Sequence, residues 1–285
     1  MPDPRVLLTG LAFGESPRWH DDRLWLSNWG AQEVVAVDVA GEAEVMARVP
    51  TTLPFCIDWD AAGRLLVVSG PEGQLLRGEP DGSLAAHVDL RPISRHAFNE
   101  IVVDGRGNVY VNGAGFDMMA GAEFSPGIVA LVTPAGDVRK VADDIAFPNG
   151  MALTPDDGTL IVADSYGKRL TAFAVEPDGS LSGRRVWADL GDGVPDGICL
   201  DAEGAVWYAD VPNMRCVRVR EGGEMLDAVE VDRGCFACML GGPDRRTLFM
   251  MTAEWLGPDK VDEALARRSG RVLATEVDVP GIGWP

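Results

Sequence analysis

Residues 148–165 read PNGMALTPDDGTLIVADS. A short apolar run, a turn built on Asp and Gly, and a second run rich in β-branched residues describe two strands joined by a tight reversal. The same unit returns at residues 15–29 (ESPRWHDDRLWLSNW), 55–70 (FCIDWDAAGRLLVVSG), 98–113 (FNEIVVDGRGNVYVNG), 195–211 (PDGICLDAEGAVWYADV) and 236–253 (FACMLGGPDRRTLFMMTA). The second runs begin at Leu24, Leu65, Val109, Leu160, Val206 and Leu248, in steps of 41, 44, 51, 46 and 42 residues. A period of this size with several strands per unit marks a β-propeller, because one small sheet cannot cover both of its own faces. The expected fold is all-β: a six-bladed β-propeller of four-stranded blades, forming one domain over residues 1–285.

The rest of each unit supports this. Hairpins for the third and fourth strands turn at Ala40-Gly41, Pro80-Asp81-Gly82, Pro134-Ala135-Gly136, Pro177-Asp178-Gly179 and Gly222-Gly223. The last unit is short by one strand, since only residues 271–279 follow it as a β-run. Residues 5–8, before the first unit, have no partner of their own. Pairing these two segments completes the last blade, closes the ring and removes exposed edges.

A chain of 285 residues buries roughly three quarters of its unfolded surface. Its net charge of −19 argues against nucleic acid and anionic membrane as partners. The opening MPDPRVLLTG lacks the basic and long apolar regions of a signal peptide, and no apolar run is long enough to span a bilayer. The expectation is a cytoplasmic protein, monomeric by default, acting on a small molecule. Five cysteines, an odd number, fit a reducing compartment. Cys235 and Cys238 form a CxxC with no second pair or nearby His, and read as small buried hydrophobes.

Aligning the units on their first strands gives one column: Glu15, Cys56, Asn99, Asn149, Asp196 and Ala237, spaced 41, 43, 50, 47 and 41 residues apart. Innermost strands of a propeller line its axis, so these side chains are expected to face one another. Two carboxylates and two amides without thiolate or imidazole suit a hard divalent cation, calcium favoured, with zinc, manganese and iron left open. The column stands at the start of the inner strands, so the loops after the second strands share its face. These include the insertions 113–126 and 253–269, which read as walls of a pocket. Phe116, Met118, Met119, Tyr166 and Trp255 are its candidate apolar lining. Of the three histidines, His20 and His87 read as solvated and His96 as a candidate lining residue. No Ser sits in a nucleophile-elbow setting, and no glycine pattern opens a helix for a nucleotide.

The ESPRW, PNGMAL…LIVADS and PDGICLDAEGAVW segments together resemble the regucalcin/gluconolactonase (senescence-marker-protein) family over nearly the whole chain. That resemblance implies a six-bladed propeller with one divalent metal, often calcium, and in many members lactone hydrolysis. By motif it implies Glu15, Asn149 and Asp196 as metal ligands, Asp196 as catalytic base, and Asn99 as a contact to substrate or to metal-bound water. Sugar-lactone hydrolases of the family often carry Arg two residues before that Asn; here the position is Ala97, beside His96 and Arg95. The leading expectation is a metal-dependent lactonase. A phosphotriesterase-like hydrolase and a non-enzymatic calcium-binding propeller are the alternatives.

Overall fold

The Asp–Gly turns fold as their residues require. Asp60 Oδ1 accepts from the N–H groups of Ala62 and Arg64, Asp104 Oδ1 from Arg106 and Asn108, and Asp201 Oδ1 from Glu203 and Ala205. In each, the glycine that closes the turn takes a positive φ (73°, 81° and 76° at Gly63, Gly107 and Gly204). In this computed structural model, which describes residues 3–51 and 53–283, those turns join the two innermost strands of a blade.

Six four-stranded antiparallel sheets result, arranged as a six-bladed β-propeller. The inner strands are Gly14–His20, Phe55–Trp59, Phe98–Val103, Pro148–Leu153, Pro195–Leu200 and Gly234–Gly241 for blades 1 to 6. Each neighbours the next around the axis. In the last blade the order runs from the inner strand through Thr247–Ala253 and Gly270–Glu276 to Arg5–Leu11, so the N-terminal strand closes the ring as expected. Its pairing runs from Arg5 opposite Ala274 to Leu11 opposite Gly270, longer than the expected 5–8. Inner and second strands are buried almost throughout, while fourth strands such as Ala43–Arg48 are largely exposed. Sheet faces pack on neighbouring sheets, so the apolar clusters lie between blades. The insertion 253–269 differs from the expected loop: it forms a 3-10 turn at Pro258–Lys260 and a short helix at Val261–Arg267, whose Ala264 is buried.

At the column the inner strands are irregular in a repeated way. Two residues oppose one between Glu15 and Arg18, Phe98 and Ile101, Pro148 and Met151, and Pro195 and Ile198. Such β-bulges re-aim side chains and often stand beside active sites. Blade 2, which carries Cys56 in the column, runs without a bulge. Glycine follows the column residue in blades 4 and 5 because the next inner strand comes close there. A Cβ on Gly197 would stand 2.6 Å from Ala237 Cβ, and one on Gly150 would stand 2.5 Å from the Asp196 carbonyl oxygen. Gly197→Ala therefore forces two backbones apart. Thermal denaturation is expected to show a loss of about 1–3 kcal/mol, the usual cost of overpacking; an unchanged Tm would contradict that contact.

Candidate active site

Four of the six column residues converge on the axis. Asn99 Nδ2 donates to Asn149 Oδ1 at 3.1 Å. The Asn149 side chain in turn hydrogen-bonds the Asp196 carboxyl, and Asp196 is close enough to Glu15 for its charge to raise the Glu15 carboxyl. Cys56 lies beside Asn99, its Sγ 4.0 Å from Oδ1, and Ala237 adds only a buried methyl group. Asn99, Asn149 and Asp196 keep a partly exposed edge, whereas Glu15 is buried.

Electrostatics dominate this cluster. Burial, then the charge of Glu100, raises the Asp196 carboxyl well above the usual carboxylate range, against the Asn149 hydrogen bond. Burial also raises Glu15, followed by the charges of Asp196 and Glu100; the Ser16 N–H and Arg18 oppose the shift. Beneath them Arg18 Nη2 pairs with Glu100 Oε1 at 2.9 Å and donates to the Ile101 carbonyl at 2.7 Å. Asn112 ties the layers together: its Oδ1 accepts from the Glu100 N–H and its Nδ2 donates to the Asn149 carbonyl. Glu15, Asp58 and Glu100 thus share the Arg18 guanidinium.

Oxygen donors carrying an excess of negative charge suit a hard divalent cation, whose presence would reverse the pressure on these carboxyls. Among the described residues no three His, Cys, Asp or Glu side chains gather as a metal cluster by themselves. The fit depends on the two amides. Glu15, Asn149 and Asp196 would hold such an ion, with Asn99 at its edge.

Asp58 has a separate consequence. Burial pushes its carboxyl up to about 7, opposed by Arg18 and by the N–H groups of Trp59 and Val103. A carboxyl raised above its unfolded value binds its proton more tightly in the folded state. Its contribution is complete below about pH 4 and is lost as pH rises through about 7. Subtracting the Tm–pH curve of Asp58→Asn from that of the wild type should leave a falling difference between about pH 4 and 7. A flat difference would contradict the assignment.

The candidate lining residues stand on the same face. Tyr166 stacks on Phe147 (centroids 4.8 Å apart, 12° between planes), its Oη lies 3.6 Å from Met118 Sδ, and Phe116 is buried beneath it. Met119 is exposed on the same insertion. Trp255 packs instead on Phe13 and Phe236. His96 is half-buried just before the inner strand of blade 3, and Arg95 Nε donates to its Nε2 at 3.4 Å. His87 lies exposed on an outer strand, as expected. His20 corrects the expectation of a solvated side chain: it is half-buried and stacks on Trp59 at 3.9 Å, and burial lowers its pKa.

Cys235 and Cys238 are buried with Cys199 and Cys216 between blades 5 and 6, the Cys199 and Cys238 sulfurs 4.0 Å apart. Burial raises the thiols of Cys199, Cys216 and Cys238, which fits core packing and opposes redox reactivity.

Arg18, Asp58, Glu100 and Asn112 escape the repeat alignment because they lie outside the column. Their signal is a charged or amide side chain inside an inner or second strand that is otherwise apolar. Such a residue must be buried and therefore partnered.

Fold and site together define a six-bladed propeller with an oxygen-donor centre on its axis. Residues 13–254 match the model of the SMP-30/Gluconolactonase/LRE-like region, and the chain belongs to that family. It is 31% identical over 153 residues to a 6-deoxy-6-sulfogluconolactonase of Pseudomonas putida, a match spanning 52% of each chain. It is 25% identical to a pentonolactonase of Haloferax volcanii over 99% of this chain and 96% of that one. A crystal structure of a calcium-binding regucalcin from Agrobacterium tumefaciens superposes with a TM-score of 0.81, at 23% identity, covering 99% of this chain and 96% of that chain. Among the described residues no helix is long and apolar enough to cross a membrane.

Proposed function

We propose that this protein is a lactonase that works with one divalent cation, calcium favoured, held by Glu15, Asn149 and Asp196. The observation that carries this reading is the meeting of Glu15, Asn99, Asn149 and Asp196 on the axis, in a family whose relatives include lactonases. The cation, when bound, supplies a Lewis acid for an ester carbonyl and acidifies water. Asp196 takes the proton of an attacking water and returns it to the leaving alkoxide, so that one carboxyl serves as base and then acid. The Asn99 amide, fixed against Asn149, orients the substrate or that water. Glu15, buried and backed by the Ser16 N–H, fixes the opposite side of the centre.

A lactone panel read with a pH indicator, with and without a chelator, tests this. Activity lost on chelation, restored by calcium and absent in Glu15→Gln supports it. Hydrolysis that survives chelation ends the metal-dependent reading. Turnover confined to phosphotriesters favours the related hydrolase, and calcium binding with no turnover favours a non-enzymatic calcium propeller.

A further inference from the structure

Two residues before each column position, toward the site face, stand Phe13, Pro54, Ala97, Phe147, Val194 and Cys235. This layer offers no polar side chain beyond one buried thiol. From two of its members, aromatic walls rise. Phe147 stacks on Tyr166, and Phe116 and Phe124 join them to make a wall from blades 3 and 4. Phe13, whose N–H is capped by Asn28 Oδ1, stacks on Trp29 at 5.5 Å. Phe236 and Trp255 complete that wall, from blades 6 and 1. In a ring of six, the boundary between blades 3 and 4 lies opposite that between 6 and 1, so the axial cluster stands between the walls.

Both walls keep apolar surface in water. Phe124 is 49%, Tyr166 50% and Trp255 37% exposed. Grouped exposed aromatic surface of this kind marks a binding face. Beside Trp255 a groove of about 530 Å³, lined also by Val211, Pro212, Met214 and Leu256, extends the second wall. Its charged neighbours already have partners, Arg233 with Asp232 and Glu254 with Arg267.

Resting on the lactonase reading, we propose that the substrate is a lactone carrying an apolar ring substituent, an alkyl chain or an aryl group, rather than a polyhydroxylated sugar lactone. An apolar substituent gains in proportion to the area it removes from water, and an aryl group gains further by stacking. Sugar hydroxyls brought to the same place lose water and find no partner in the layer above the column, which costs free energy. An aromatic wall can hold the C–H face of a sugar, but selecting a sugar also takes donors and acceptors set beside that face.

The test compares kcat/KM for γ-phenyl-γ-butyrolactone and δ-decalactone with that for glucono-δ-lactone, in calcium-containing buffer. Calorimetric binding of the lactam matching the aryl lactone is measured in parallel. The expected result is a preference of about tenfold or more for the apolar lactones. Tyr166→Ala, at an exposed position, should raise KM for the aryl lactone, weaken the lactam by a similar factor and narrow that preference. A preference for glucono-δ-lactone, or lactam binding and preference both unmoved by Tyr166→Ala, overturns the substrate class and leaves the lactonase reading intact. If none of the three lactones is hydrolysed, the lactonase reading falls and this inference with it.

Discussion

Asp196→Asn should reduce lactone hydrolysis by about 10³-fold while raising the Tm of chelator-treated protein. The two effects have one cause. Asp196 keeps only a partly exposed edge beside Glu15 and Glu100, and in the absence of a cation its charge meets like charges at a largely desolvated place. An amide of the same shape keeps the Asn149 contact and removes one of those charges. Relief of a crowded, half-buried carboxylate is worth about 1–2 kcal/mol, several degrees for a chain of this size. Calcium should reverse the order. At 100 times its Kd a ligand stabilises the folded state by about 2.7 kcal/mol. The wild type should show that upward shift in Tm, and Asp196→Asn should lose most of it. A calcium shift that survives in both Asp196→Asn and Glu15→Gln would remove the centre from the axis.

Arg18→Met is expected to cost more stability than any single change to the column. Arg18 is 5% exposed and is the guanidinium shared by Glu100 and Asp58. Removing one partner of a buried pair leaves an uncompensated charge, a loss of about 3–5 kcal/mol. In a chain of this length that lowers Tm by roughly 6–20 °C. Glu100→Gln should be milder, because Arg18 keeps its bonds to the Pro17 and Ile101 carbonyls. Combined with Glu100→Gln, Arg18→Met should cost less than the two losses added, since the carboxylate it strands is gone. Urea unfolding of the four proteins gives the coupling energy directly. Strict additivity would mean that the pair contributes nothing as a pair. If Arg18→Met does not fold, Arg18→Lys supplies the same cycle with a cation that cannot bridge Glu100 and two carbonyls at once.

The ring and its closure were legible because they are matters of period. Leu24, Leu65, Val109, Leu160, Val206 and Leu248 mark the second strands at nearly even steps, and a strand left over at each end implies its partner. The axial column was legible for the same reason: equivalent positions in a ring meet. The support beneath it was not. Glu100 follows Asn99 directly, and strict alternation would send its side chain away from the site. The bulge between Phe98 and Ile101 breaks that alternation and lets both residues serve the centre. No turn signal in FNEIVV announces such an irregularity. The 261–267 helix is not legible in the sequence because seven residues give too short a period to stand out inside an insertion. The place of His20 is not legible in the sequence because its contact, Trp59, lies in another blade.

Ring closure also dictates an order of events during synthesis. Residues 5–11 leave the ribosome long before their hydrogen-bond partners, residues 270–276, are translated. Until then the nascent chain holds five complete blades and a sixth that lacks its two outer strands, so the seam between Gly14–His20 and Gly234–Gly241 is not locked. Contacts this distant in sequence are slow to form. Joining the seam is therefore the event that turns a stack of hairpins into a molecule with a centre, because Glu15 sits on one side of that seam and Asp196 only one blade beyond it.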